Sequence, residues 1–224
     1  MPKITNIIFK DDRERYWIYV DGKYCTSIRA RTFKGMNLTI GASLSCEEIK
    51  EMESFHFKNQ YKDSWEQEKV RIGKVSQLLS AANDKIRVNV TGFGADSNDY
   101  IKEHPDEQGK PDLELVLSGD EKVLMLVEVT GTTKMRGDAY WIRPDKLSYC
   151  QNHPEENVWI VLHYALPVEK FVFVKPNGNK QYEHIVVNIK GTDELYVPFK
   201  DCDQEVYSYQ QFLGHLDFII KQNG

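Results

Sequence analysis

The stretch from Pro111 to Thr130 constrains this 224-residue chain more than any other. It reads Pro-Asp-Leu-Glu-Leu-Val-Leu-Ser, a Gly119-Asp120 turn, then Val-Leu-Met-Leu-Val-Glu-Val-Thr. Two apolar runs flanking a glycine turn predict two adjacent strands. Residues two apart in a strand share a face, so Glu128 and Thr130 project with Leu124 and Leu126. A three-residue loop, Gly119 to Glu121, would pair 118 with 122, 116 with 124 and 112 with 128. Asp112 would then face Glu128, their Cβ atoms about 5 Å apart. Carboxylates that close repel unless a cation or a proton lies between them. Glu128 is also the only charge between Val123 and Thr130, in a run apolar enough to be buried on both faces. A lone carboxylate there needs a partner. A hard divalent cation is the simplest resident, Mg²⁺ or Mn²⁺ in its place, and a structural ion pair is the other reading.

Pro111-Asp112, a gap, then Glu128-Val129-Thr130 closing an apolar strand resembles the signature of the PD-(D/E)xK nuclease superfamily, the restriction-endonuclease-like proteins. The setting adds to the resemblance: a hairpin, then a helix, then another apolar strand. It implies that Asp112 and Glu128 hold Mg²⁺ and that Val129 adds its backbone carbonyl. The third signature position is usually Lys and here is Thr130, which can orient a water but supplies no positive charge. Two lysines could stand in. Lys134 follows in the loop from Gly131 to Gly137. Lys146 lies on a predicted helix from Pro144 to Asn152, with proline in the first turn. Related nucleases often borrow a Lys or Gln from the helix after the catalytic strand, which favours Lys146 with Gln151 behind it. The resemblance also implies an acid from the first core helix. That helix is predicted from Asp63 to Ala82, capped by Asp63 or Ser64. Ile72, Val75 and Leu79 form its apolar stripe, and one turn back the stripe lands on Glu68. The plainer readings are solvated surface lysines and a first-turn acid complementing the helix dipole.

With 41% hydrophobic and 28% charged residues, the chain can bury a core of ordinary size. No apolar run approaches the ~18 residues a membrane span needs, and Met1 to Asn6 lacks signal-peptide architecture. The four cysteines, Cys25, Cys46, Cys150 and Cys202, show no CxxC pair or zinc spacing. They read as reduced thiols, and the expected location is cytoplasmic. The net charge of −5 argues against a surface that is basic throughout, but leaves room for a local basic groove.

Residues 1–58 read as a small accessory module and 59–224 as the core. In the module, Arg15 to Val20 and Lys23 to Ile28 flank Asp21-Gly22, a strong hairpin signal. Ser45-Cys-Glu-Glu48 is a capping box opening a helix from Glu47 to about Phe55. The order hairpin, Leu38-Thr-Ile-Gly, then helix resembles the β-rich leader of some recombination regulators. Arg13, Arg15, Tyr16, Trp17, Tyr19, Lys23, Arg29, Arg31 and Lys34 put cations beside aromatic rings, which suits phosphate contact and base stacking. The segment around Arg29, Arg31 and Lys34 is the candidate nucleic-acid contact, with Lys134 and Arg136 in the core. The other reading is a hairpin whose rings pack inward.

In the core, strands are predicted at Lys85 to Thr91, Val158 to Tyr164, Phe171 to Lys175 and His184 to Ile189, with a closing helix from Tyr207 to Lys221. The loop from Gly92 to Lys110 is long enough to be a clamp over a substrate. The expected class is α/β, a mixed sheet with flanking helices. The expected activity is Mg²⁺-dependent cleavage of DNA, most simply of the restriction type. A structure-specific recombination or repair nuclease, or an inactive nucleic-acid-binding relative, are the alternatives. Symmetric cutting of both strands would favour a homodimer.

Overall fold

The computed structural model describes residues 1–11, 14–91, 110–135, 137–189 and 192–223, with the backbone alone for 58–64 and 192. The chain is of mixed α/β class. Its contacts divide it into two compact units, Met1–Glu66 and Gln67–Gly224, where the sequence suggested a division after residue 58. The expected clamp loop, Arg13 and Arg136 lie outside the described residues.

The first unit is built on an antiparallel sheet of β1 (Ile4–Lys10), β2 (Arg15–Val20) and β3 (Lys23–Arg29) in that order. Asp21 and Gly22 both have positive φ, 48° and 77°, as a two-residue hairpin turn requires. Ile4, Ile18, Val20 and Ile28 point inward and pack with Met36, Leu38 and Ile49. Arg31 and Lys34 lie on a short helix, α1 (Ala30–Met36). The capping box forms as expected: Glu48 N–H donates to Ser45 Oγ (3.2 Å) and Ser45 N–H to Glu48 Oε2 (2.7 Å).

Two expectations for this part of the chain are corrected. The helix opened by Ser45 does not stop near Phe55 but continues as α2 (Cys46–Ser80). Asp63 and Ser64 are therefore interior residues and not caps. Residues 56–62 contain neither Pro nor Gly, so nothing breaks the helix there. Second, Cys25 and Cys46 are not free thiols. They form a disulfide, with Cα atoms 5.6 Å apart. The start of β3 and the start of α2 meet in space, and residues 21 apart in sequence become neighbours. Cys150 and Cys202 are free.

The second unit carries a six-stranded sheet. Its order begins with β12 (Val206–Tyr207), β9 (Lys170–Val174) and β8 (Val158–Tyr164). It continues through β6 (Val123–Thr130), β5 (Leu113–Leu117) and β4 (Ile86–Val90). Only the β6–β8 pair is parallel, and its crossover carries α3 (Pro144–Asn152), with proline at the helix start. On one face, Leu113, Leu115, Val127, Val129, Trp159, Val161 and Phe173 meet Ile72, Val75 and Leu79 of α2. Phe212, Leu216 and Ile220 of α4 (Tyr209–Asn223) pack there too. On the other face, Ile160, Leu162, Val172 and Val174 pack under Leu147 of α3 and under a second sheet. That sheet is β10 (Ile185–Ile189), β11 (Thr192–Phe199) and β7 (Tyr140–Ile142). No described helix is long and apolar enough to cross a membrane.

Candidate functional site

The β5–β6 hairpin turns differently from the expected three-residue loop. Leu117 N–H donates to the Lys122 carbonyl (3.0 Å), so the loop is Ser118 to Glu121. Further along, the register shifts between Leu115 and Val116, leaving Leu124 as an extra residue on β6. The longer loop and the bulge cancel. From Leu115↔Met125 to Leu113↔Val127 the pairing is the one expected, and it carries Asp112 to the side of Glu128. Thr91 fixes Asp112 from the β4 side, its N–H donating to the Asp112 carbonyl (2.9 Å) and its hydroxyl to the Pro111 carbonyl (2.8 Å). From the β6 side, Val129 N–H donates to Asp112 Oδ2 (2.8 Å).

Both carboxylates are 7% exposed. α3 crosses above them, anchored by its buried Leu147 and Cys150. Its Lys146 ammonium donates to Glu128 Oε1. Burial pushes the Glu128 carboxyl up, the Asp112 charge adds to this, and Lys146 relieves part of it, leaving the pKa at about 8. Burial also raises Asp112, against the pull of Lys146 and the Val129 N–H. Lys146 is lowered by its own burial, but the Glu128 and Asp112 charges outweigh that and raise it. Glu68 of α2 is partly buried, and its charge acts on all three groups. The two buried carboxylates thus share the Lys146 ammonium, while the Glu68 charge also faces the Arg71 guanidinium. Two carboxylates against one ammonium leave the pair short of positive charge, which favours the protonated form of Glu128.

Hard oxygen donors with a deficit of positive charge fit Mg²⁺. Asp112 and Glu128 would hold it. The Val129 side chain belongs to the opposite core face, so this residue can offer only its backbone to the site. Glu68 does not complete a three-ligand set. Among the described residues, three donor atoms converge within 4.8 Å at His153, Glu155 and Glu156, an at least partly exposed group elsewhere. With two carboxylates, the remaining positions would be water, as is usual for this ion.

Thr130 ends β6 on the face of Glu128, partly buried. Lys134 is exposed, with its backbone bridged to Leu166, and no contact ties it to the carboxylates. Gln151 donates to the Lys180 carbonyl (3.4 Å), away from Glu128. Two further features were not read from the sequence. A cavity of about 500 Å³ is lined by Lys110, Glu114, Leu126 and Tyr149 among others, but not by the carboxylates themselves. Tyr140 of β7 donates its hydroxyl to Asp201 and accepts from Lys170. The only signal for β7 was the triplet Tyr-Trp-Ile, too short to count as a strand.

Comparison with family models, with curated proteins and with solved structures finds no match to this chain.

Proposed function

We propose that the chain is a Mg²⁺-dependent endonuclease acting on DNA, of the restriction type. The observation that carries the reading is the Asp112–Glu128 pair, buried side by side beneath a lysine from the following helix. The order of helix, three antiparallel strands, helix and parallel strand around the pair supports it as well. Asp112 and Glu128, fixed by Thr91 and the Val129 N–H, would hold the ion, with the Val129 carbonyl as a further ligand. When bound, the ion would lower the pKa of a water and neutralise charge on the scissile phosphate. Lys146 stands in for the missing signature lysine, placing a positive charge beside Glu128 where developing negative charge would be stabilised. Thr130, two residues from Glu128 on the same face, orients the attacking water. Glu68 adds negative potential that favours cation uptake. Arg29, Arg31, Lys34, Lys134 and Arg136 are the proposed DNA contacts.

A cytoplasmic location belongs to this reading, since DNA is the substrate. The free Cys150 and Cys202 suit it, and the Cys25–Cys46 bridge weighs against it. A homodimer would suit cutting of both strands. One observation favours a second reading, a DNA-binding protein without catalysis: Thr130 stands where the lysine should, and Lys146 is already engaged with Glu128. A structure-specific recombination or repair nuclease would use the same site.

Supercoiled plasmid incubated with the protein and Mg²⁺ is expected to be nicked or linearised. EDTA, Asp112→Asn or Glu128→Gln should each prevent this. Intact plasmid, with circular dichroism showing a folded parent, would overturn the enzymatic reading in favour of the binding one.

A further inference from the structure

The outward face of the N-terminal sheet has an organisation that folding alone does not explain. Registers place three rows across it. Lys10 pairs with Arg15, and Arg15 with Arg29, so three cations lie side by side across three strands. The next row is Ile8, Trp17 and Ser27, and the one after that is Asn6, Tyr19 and Tyr24. Along β1 and β2 successive rows lie two residues apart, about 7 Å, and a register shift sets Tyr24 three residues from Ser27 on β3. The inward residues of the same strands, Ile4, Ile18, Val20 and Ile28, form the core. Tyr16, which the sequence grouped with the surface rings, belongs inside, stacked on Phe33 at 3.9 Å.

Like charges directly opposite one another in a sheet are destabilising. Here they are partly relieved. Arg15 donates to Ser27 (2.9 Å to Oγ), Lys10 lies over the Trp17 ring (5.2 Å), Arg29 over the Phe57 ring of α2 (5.9 Å), and the Glu53 charge reaches Arg15 and Arg29. The rings beside them also remain open. Tyr24 is 53% exposed, and Trp17 and Tyr19 are partly so. Tyr24 stands edge-on to both neighbours, at 5.5 Å from Trp17 and 5.9 Å from Tyr19. A row of cations followed by rows of aromatic rings matches one ligand chemistry, a phosphate backbone with accessible base faces. A duplex hides its base faces in its own stack, whereas a single strand presents them.

We propose that this face, with Lys10, Arg15 and Arg29 on the phosphates and Trp17, Tyr19 and Tyr24 stacking on the bases, binds single-stranded nucleic acid. The inference does not depend on the nuclease reading, because the face needs neither Asp112, Glu128 nor a metal.

Fluorescence anisotropy of a labelled oligothymidylate with the full chain in EDTA tests it, with cleavage prevented. The parent should bind the oligothymidylate. Tyr24→Ala should weaken that binding about fivefold or more, the usual loss for one stacked base, and should leave binding of a duplex of the same length unchanged. Tyr24→Phe, which keeps the ring, should bind like the parent. Arg29→Ala should lower the log–log salt slope by about 0.7, the share of one phosphate on a single strand. Tighter binding of a matched oligouridylate would assign the strand to RNA and preserve the inference. Tyr24 is exposed enough that its loss should not unfold the sheet, and Trp17→Ala adds a second reading. The proposal is overturned if the parent does not bind the oligothymidylate, if Tyr24→Ala weakens duplex binding as much as oligothymidylate binding, or if Tyr24→Ala and Trp17→Ala both bind as the parent does. In those cases the rings serve a protein partner or none.

Discussion

Asp112 and Glu128 are each costly to keep charged, and the cost has a sign that can be measured. Their pKa values rise on folding, Glu128 to about 8. A carboxyl raised in this way favours the folded state fully below its unfolded pKa, near 4. That contribution is lost as pH rises through the folded value. The melting temperature of the metal-free protein in EDTA should therefore fall between about pH 5 and pH 8. Glu128→Gln should flatten this dependence and melt higher than the parent at pH 8. If the substitution melts lower, Glu128 and Lys146 form a structural ion pair whose loss leaves a buried charge unpartnered. The lysine has its own signature. Lys146→Ala should slow Mg²⁺-dependent cleavage by roughly 10²–10³, while DNA binding measured in Ca²⁺ changes little. Normal cleavage in that variant, with loss in Lys134→Ala, would move the charge to the loop.

At the scale of elements, β6 owes its end to a close approach. Gly131 follows Thr130 at φ +116°, and a Cβ there would lie 2.3 Å from the His163 carbonyl oxygen on β8. Gly131→Ala must push two paired strands apart or distort the chain beside the carboxylates. It should cost several kcal/mol, read by urea unfolding. The elements around the site were the legible ones. α3 begins at a proline, and β8 is an uninterrupted apolar run, so each carries its own boundary signal. Asp112 and Glu128 were legible because strand parity places them on one face. The facing register was reached through a loop one residue too short, an error that the Leu124 bulge happened to absorb. β7 and β12 were missed because short strands lack periodicity, and β11 because Asp193, Glu194 and Pro198 are residues that strands disfavour. Lys146 was legible only as a candidate, since its reach to Glu128 depends on the packing of α3 against the sheet.

Across the whole molecule, charge is unevenly shared. The Met1–Glu66 unit carries eleven Lys and Arg against ten Asp and Glu, and the rest of the chain eighteen against twenty-four. The net −5 thus describes mainly the unit that holds the acidic site, and says little about the sheet with the basic row. The disulfide likewise belongs to one unit. A peptide map without reductant should recover Cys25 joined to Cys46. Reduction should then speed hydrogen exchange in β1 to β3 while leaving β5, β6 and β8 unchanged. Equal effects on both sheets would mean that the bridge supports more than its own unit. The bulge at Leu124 has a consequence for descent. A hairpin that can take up a residue within one strand tolerates changes of length at its tip, while Asp112 and Glu128 stay face to face. Descendants of such a chain would keep the pair but not the number of residues between its members. A search keyed on that interval would pass over kin that superposition would recover.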